Sequence, residues 1–233
     1  MSPYVYPSST QPDSETAIIV LPEIFGLTGS IREVVDRFAT ETNYPSFGLD
    51  FFFELTGQPN NFDYSQDIGK GVDLMNQMTG EKFISIFERA LNEIQENNPN
   101  IQNFTVCGFC FGGRLALLSG TNLKVKNIIS FYGGGANQPD FYQKHSAVES
   151  LVNSRRNDTE LRILAFFGAE DQSIPADDRQ RTQGLLNTAD LNYIFEVYKN
   201  TGHAFFNKDR DTYVPEAATE AWEEVKKFLK EEV

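Results

Sequence analysis

An uninterrupted apolar run of strand length at residues 17–21, with several further β-prone segments along the chain, predicts a buried, mainly parallel sheet. Strands of a parallel sheet have such runs because helices cover both of their faces and neither face meets water. The runs and shorter β-prone segments that we interpret as strands are residues 17–21, 46–50, 104–107, 125–131, 162–167 and 195–198.

Between several of these strands, apolar residues recur at helical spacing and predict helices that pack on the sheet. Ile31, Val34 and Phe38 share one helix face, and this helix is expected to end near residue 41. Ser30 and Glu33 have the spacing of a capping box at its start. Two further helices have the apolar stripes Ile84, Phe87, Leu91 and Ile94, and Ala218, Trp222, Val225 and Leu229. Alternating strands and helices predict an α/β fold with helices on both faces of the sheet.

One predicted strand passes directly into a helix through the segment Gly-Phe-Cys-Phe-Gly-Gly at residues 108–113. Glycines two before and two after Cys110 remove the side chains that would collide in so sharp a turn. At the head of a helix, free amides and the partial positive charge favour a thiolate. The pattern is that of a G-x-S-x-G nucleophile elbow with cysteine in place of serine. For an isolated G-x-C-x-G, a cysteine packed in the core is the alternative.

The length and charge of the chain limit its organisation and its partners. The 233 residues contain no linker, repeat or low-complexity tract, so we expect a single domain over residues 1–233. The formal net charge of −13 argues against nucleic-acid and anionic-membrane partners, which need a basic face. The simpler interpretation of this acidity is that it keeps the protein dispersed. We expect a small-molecule substrate and a monomer or simple homo-oligomer.

Cysteine usage and the start of the chain predict a cytoplasmic protein. The first seven residues lack the basic and apolar regions of a secretory signal. No apolar run reaches the roughly 18–20 residues that span a bilayer. Cys107 and Cys110 lie three positions apart on a strand and its turn, where a structural disulfide is not expected. Two free thiols suit a reducing compartment.

Asp171 and His203 are the candidate partners of Cys110. Each follows a predicted strand by a few residues, so both are expected at the sheet edge where Cys110 stands. The chain order of nucleophile, acid and histidine is that of α/β-hydrolases. In this arrangement His203 takes the thiol proton, while Asp171 fixes the tautomer of the imidazole. Glu170 and Asp177 are the alternatives for the acid.

The remaining site chemistry concerns metals and the oxyanion. No pair of histidines and no Cys/His cluster has metal-ligand spacing, so no metal is expected. His145, in a polar segment, is interpreted as a surface residue. Acyl transfer needs two donors for the tetrahedral oxyanion. The candidates are the amide of Phe111, at the head of the elbow helix, and the amide of Ile24, in the loop after the first long strand.

Four segments together resemble the dienelactone hydrolase family, whose members are cysteine hydrolases of the α/β-hydrolase fold. The segments are Glu-Ile-Phe-Gly at 23–26, the elbow at 108–113, Gly-Ala-Glu-Asp at 168–171 and Gly-His-Ala-Phe at 202–205. Members hydrolyse the enol-lactone ring of dienelactones without a cofactor, so the resemblance implies an ester or lactone hydrolase. It also implies that Glu23 lies against the resting nucleophile and shifts when substrate binds, which lets the thiol ionise. A carboxylate that braces the loop is the alternative.

The sequence departs from this family where a substrate carboxylate would be held. Members that act on dienelactone use two arginines. One would follow the His203 segment, where Asn207 stands, and the other would lie between residues 62 and 73, where Lys70 is the sole cation. Arg114 on the elbow helix is a candidate substitute, with a solvated helix arginine as the alternative. The candidate substrate-binding residues are Phe25, Arg114 and Lys70.

We interpret the chain as a hydrolase that cleaves a lactone or carboxylic ester through a Cys110 acyl-enzyme. The missing arginine pair predicts a preference for neutral esters or lactones over the carboxylate-bearing dienelactone. A carboxylesterase or thioesterase for a neutral substrate is one alternative, and a non-catalytic binding protein on the same fold is another. A binding protein needs no general base, so the presence of Cys110, Asp171 and His203 together favours an enzyme.

Overall fold

A computed structural model describes residues 2, 4–10, 12–139 and 141–231, and the strands within these residues form one seven-stranded sheet. The strands are β1 (Val5–Pro7), β2 (Thr16–Leu21), β3 (Ser46–Leu49), β4 (Asn103–Phe109), β5 (Val125–Phe131), β6 (Arg162–Gly168) and β7 (Asn192–Tyr198). Their order across the sheet is β1-β3-β2-β4-β5-β6-β7. Only β1 runs antiparallel to its neighbour among these strands. The predicted mainly parallel sheet is confirmed, and β1 is an additional edge strand.

Helices pack against both faces of this sheet, as predicted. They are α1 (Gly29–Thr42), α2 (Phe53–Thr56), α3 (Ile68–Gln77), α4 (Gly80–Asn97), α5 (Phe111–Ser119), α6 (Ala147–Ser154), α7 (Ala176–Thr188) and α8 (Pro215–Lys230). Alternate residues of β2 enter two different cores. Ile19 and Leu21 pack with α4, α5 and α6, whereas Ile18 and Val20 pack with α1 and α8. The described residues contain no helix long and apolar enough to cross a membrane.

The start of α1 differs from the prediction. Thr28 is the N-cap, and the helix begins at Gly29, so Ser30 already lies in the first turn. The Ser30 hydroxyl contacts the Tyr64 hydroxyl at 2.8 Å instead, and Glu33 pairs with Lys208. The predicted capping box at Ser30 was therefore wrong, because another hydroxyl residue two positions earlier caps the helix.

Candidate active site

Cys110 stands at the turn between β4 and α5. Its backbone angles, φ 55° and ψ −118°, lie where a non-glycine residue is rarely found. Its amide donates to the Phe131 carbonyl at 3.0 Å, which ties the turn to β5. A Cβ added at Gly108 would lie 1.9 Å from the Gly112 carbonyl oxygen, and one added at Gly112 would lie 2.4 Å from that of Leu21. The glycines therefore allow the close backbone approach that holds Cys110 at the end of the strand.

The two cysteines have different surroundings. Cys107 is fully buried in β4, and burial raises the pKa of its thiol well above the ordinary value. Cys110 is partly exposed, and both thiols are free. Cys110 is therefore the thiol that a molecule in solution can reach.

His203 and Asp171 meet beside this turn. The distance from His203 Nδ1 to Asp171 Oδ2 is 2.7 Å. Asp171 is buried, and its other oxygen accepts a hydrogen bond from the Ser173 amide at 2.8 Å. Glu170 and Asp177 are both exposed. Of the three acidic candidates, Asp171 is the one that the fold brings to the histidine.

The charge state of His203 depends on Cys110. Burial lowers the pKa of His203, but the thiolate charge of Cys110 and hydrogen bonds with Asp171 and Cys110 outweigh burial and raise it to about 10. An imidazolium thus faces sulfur on one side and a carboxylate on the other. This arrangement can hold a thiolate–imidazolium pair and can deliver a proton to a leaving group. The other histidine, His145, is exposed, as predicted.

Cys110 and His203 line a pocket of about 350 Å³. This volume is within the range of small-molecule sites, which is about 300–1,000 Å³. The apolar residues that line the pocket are Ile24, Phe25, Ile68, Met75 and Phe111, and the polar ones include Arg114, Gln138, Ser173 and Arg210. Phe25 and Arg114 therefore line this pocket, and their role in substrate binding stays a prediction.

Two backbone amides are available at this pocket. Neither Ile24 N nor Phe111 N donates a hydrogen bond to another described residue. Phe111 is the first residue of α5, where amides carry the partial positive charge of the helix. Because both residues line the pocket of Cys110, their amides are free to donate hydrogen bonds to an oxyanion there.

Glu23 is buried behind Ile24 and contacts the loop that carries His203. Glu23 Oε2 accepts a hydrogen bond from Asn207 Nδ2 at 3.0 Å and lies 3.9 Å from Arg210 Nη1. Burial raises the pKa of Glu23, while the charge of Arg210 and the Asn207 hydrogen bond oppose this rise. The structure thus shows no hydrogen bond between Glu23 and the resting nucleophile among the described residues, and the role that the family resemblance implies for Glu23 stays a prediction.

Tyr132 connects Glu23 with His203, and no motif marks it in the sequence. Its φ is 39° and its side chain is fully buried. Its ring lies edge-on to the His203 ring, with 5.2 Å between centroids. The hydroxyl is close enough to Glu23 to lower the pKa of that carboxyl, yet it makes no hydrogen bond of normal geometry. Both Glu23 Oε1 and the Tyr132 hydroxyl are therefore buried polar atoms without a good partner.

Arg114 is a buried cation without a carboxylate partner among the described residues. It is 3 % exposed, and its guanidinium lies 4.5 Å from the Phe111 ring centre and 4.4 Å from that of Phe141. Nη1 donates to Gly135 and Gln138, whereas Nε has no partner. Burial lowers the pKa of Arg114 to about 10, and the charge of Cys110 opposes that change. The solvated alternative for Arg114 was therefore wrong.

The structure adds a second arginine to the pocket and does not bring Lys70 there. Arg210 lines the pocket and lies 5.2 Å from the Phe25 ring centre. Lys70 is exposed, pairs with Asp67 at 2.7 Å and does not line the pocket. The premise that the pocket lacks an arginine pair was thus wrong. Arg210 follows His203 by seven residues, and that proximity is the one sequence signal that could have indicated it.

Metal ligands are not grouped in the described part of the chain. No set of three or more histidine, cysteine, aspartate or glutamate side chains there could hold a metal ion.

Several known proteins are similar to this chain in sequence or in fold. The family model described as the dienelactone hydrolase family matches residues 2–233. A protein from Synechocystis, named "Putative carboxymethylenebutenolidase", is 29 % identical over 93 % of this chain and 86 % of its own length. An Escherichia coli K12 protein of the same name is 25 % identical over 92 % of this chain and 76 % of its own length. The crystal structure of a putative dienelactone hydrolase from Klebsiella pneumoniae matches with a TM-score of 0.79 and 23 % identity, covering 96 % of this chain and 89 % of that one. The chain therefore belongs to the dienelactone hydrolase family and is a hydrolase of the α/β-hydrolase fold.

Proposed function

We propose that this protein hydrolyses a carboxylic ester or lactone through a thioester between Cys110 and the acyl group. The observation that carries the proposal is His203, which lies between Asp171 and Cys110 with its pKa raised to about 10. An imidazolium in this position stabilises the thiolate that attacks and then supplies the proton that the leaving group needs.

In the acylation step, the Cys110 thiolate attacks the carbonyl carbon and a C–S bond forms. The carbonyl electron pair moves onto oxygen, and the amides of Ile24 and Phe111 donate to that oxyanion. When the tetrahedral intermediate collapses, the C–O bond breaks and the His203 imidazolium gives its proton to the leaving oxygen. In a lactone the leaving oxygen stays attached to the acyl chain, so a single product is released after hydrolysis.

In the deacylation step, neutral His203 takes a proton from water as the water oxygen attacks the thioester carbonyl. The second tetrahedral intermediate collapses and the C–S bond breaks. The carboxylic acid leaves, and the thiolate–imidazolium pair is restored. Asp171 holds His203 Nδ1 through both steps, so that Nε2 remains directed to the reacting atoms.

The substrate that fits the pocket best carries a negative charge. Arg114 and Arg210 both line the pocket, and Arg114 has no acidic partner among the described residues. A buried guanidinium without a counter-ion is costly, and a substrate carboxylate would supply the missing charge with hydrogen bonds at two points. We therefore favour an anionic ester or lactone over the neutral substrate that the sequence predicted.

The test follows the acyl group on the protein. The enzyme is mixed with a p-nitrophenyl ester, quenched in acid at short times, digested and analysed by mass spectrometry. We expect the acyl mass on the peptide that contains Cys110, together with a burst of nitrophenol. Cys110→Ala should lose the adduct and turnover, while Cys107→Ala, the matched control, should keep both. Turnover retained in Cys110→Ala would show that Cys110 is not the nucleophile and would reject the mechanism.

A further inference from the structure

A second cleft lies between α1 and α8, outside the pocket of Cys110. We name it the α1–α8 cleft, and its volume is about 180 Å³. Its apolar walls are formed by Val34, Phe109, Tyr132, Phe206, Ala218 and Trp222, all of which are buried. A comparable volume, about 150 Å³, is enough for an apolar cavity to hold benzene. The cleft therefore has room for one ring and a small substituent.

The charged residues at the rim of the cleft are already paired. The rim pairs are Arg37 with Glu41 at 3.0 Å, Lys208 with Glu33, and Glu223 with Lys226 at 2.7 Å. A charged ligand would have to separate one of these pairs or remain uncompensated against apolar walls. A neutral ligand meets neither cost.

One wall residue has a polar group that lacks a well-aligned partner. Among the described cleft residues, the Tyr132 hydroxyl is the only buried side-chain polar atom without a hydrogen bond of normal geometry, and the Glu23 carboxylate is its nearby acceptor. Burial raises the pKa of Tyr132, so its hydroxyl remains a donor. A buried donor without a hydrogen bond of normal geometry is destabilising, and a ligand oxygen that met it in good geometry would satisfy it. The cleft thus offers one hydrogen bond within an apolar enclosure.

We propose that the α1–α8 cleft binds a neutral molecule with one aromatic or alicyclic ring and one oxygen that accepts a hydrogen bond from Tyr132. The cleft is distinct from the pocket of Cys110, because Cys110, His203 and Asp171 do not line it, although the Tyr132 ring contacts the His203 ring. It is nonetheless close to Glu23, because Asn207 lines the cleft and donates a hydrogen bond to that carboxylate at 3.0 Å.

Trp222 is the sole tryptophan of the chain and lies in the cleft wall, so its fluorescence reports occupancy directly. Benzyl alcohol is the probe. We expect a saturable change in Trp222 emission with a dissociation constant on the order of 1 mM or lower. Thr219 is exposed and lines the cleft, whereas its exposed neighbour Glu220 does not. Thr219→Phe should weaken binding by about tenfold or more, and Glu220→Phe should leave it unchanged.

Tyr132→Phe tests the hydrogen bond. It should weaken benzyl alcohol binding by about fivefold while leaving toluene binding unchanged, because only the alcohol carries an acceptor. A response that stays linear in benzyl alcohol, or an unaltered dissociation constant in Thr219→Phe, would overturn the site. An equal effect of Tyr132→Phe on both probes would overturn the role of the hydroxyl. These assays measure binding alone, so they do not depend on the proposed hydrolysis.

Discussion

The guanidinium of Arg210 lies 3.9 Å from the buried carboxylate of Glu23, and the same arginine lines the pocket of Cys110. A single cation is therefore shared between a buried acid and the space where substrate would bind. An anion in the pocket would compete with Glu23 for Arg210, since both attract the same charge at short range. A negatively charged substrate would thus weaken the attraction between Arg210 and Glu23 without touching Glu23 itself.

The first prediction distinguishes the two thiols. Under limiting iodoacetamide, Cys110 should be alkylated first and activity should fall in step with its labelling, because Cys107 is fully buried and its raised pKa keeps it a thiol. Peptide mass spectrometry measures the labelling at each site. Labelling of Cys107 that parallels the loss of activity would contradict the assignment.

The second prediction concerns the titration of His203. Its pKa should be about 10 in the wild type and should fall in Cys110→Ala, because the thiolate charge disappears while burial, which lowers the pKa, remains. The chain has two histidines, so NMR can follow both imidazoles across the pH range, with exposed His145 as the second signal.

The control for this titration is Cys107→Ala, which removes a fully buried thiol that does not line the pocket. It should leave the His203 titration unchanged. A His203 pKa that is the same with and without Cys110 would show that the thiolate does not hold the imidazolium.

The fold was predictable because its signals are local. An uninterrupted apolar run marked the buried strand β2, shorter β-prone segments marked the other parallel strands, and three glycines in six residues marked the close approach at Cys110. Asp171 and His203 could be placed because parallel strands end at one edge of the sheet. The proximity of these residues was therefore predicted from the topology of the sheet and not from any side-chain contact.

The residues that the sequence did not place depend on loop paths and on burial. Every residue of α5 is buried, so Arg114 has no solvent-facing side, although a charged helix residue is usually solvated. Tyr132 and Arg210 reach the site from loops whose course no periodic pattern encodes. Ser30 matched a capping box, but the helix began two residues earlier than the pattern assumed, with Thr28 as its N-cap.

The third prediction uses the raised pKa of Glu23. A carboxyl whose pKa is higher in the folded state is stabilising while protonated, and this contribution is lost as the pH rises through the folded pKa. Glu23→Gln removes the charge and keeps the shape. Its melting temperature should exceed that of the wild type at about pH 8, and the difference should vanish below the ordinary glutamate pKa of 4.5. Calorimetry at several pH values measures this, with exposed Glu170→Gln as the control.

The fourth prediction asks whether Glu23 influences the nucleophile. If its charge opposes ionisation of Cys110, Glu23→Gln should change the pH dependence of Cys110 alkylation and lower turnover. The alkylation rate is measured against pH in the free enzyme and with substrate present. If Glu23→Gln alters neither the alkylation profile nor the turnover, Glu23 acts as a brace between its loop and Asn207.

The last prediction concerns substrate charge. Each charge-assisted hydrogen bond is worth about 1.5–3 kcal/mol, so losing one should cost about tenfold to a hundredfold in kcat/KM. Arg114→Met and Arg210→Gln should each lower kcat/KM by this factor for an ester that carries a carboxylate. For a neutral ester with the same leaving group, both variants should stay within about twofold of wild type. Arg114→Met also removes a buried cation that lacks a counter-ion, so it is not expected to impair folding.

The matched control is Lys70→Gln, which removes an exposed cation that pairs with Asp67 and does not line the pocket. It should change neither substrate. A wild-type preference for the neutral ester, unaltered in Arg114→Met and Arg210→Gln, would contradict the anionic substrate and restore the preference that the sequence predicted.

The net charge of −13 already disfavours the approach of anions, so a preference for the carboxylate ester would have to originate within the pocket itself. Comparing the two esters at low and high salt separates these effects, because salt screens the distant charges far more than a buried guanidinium.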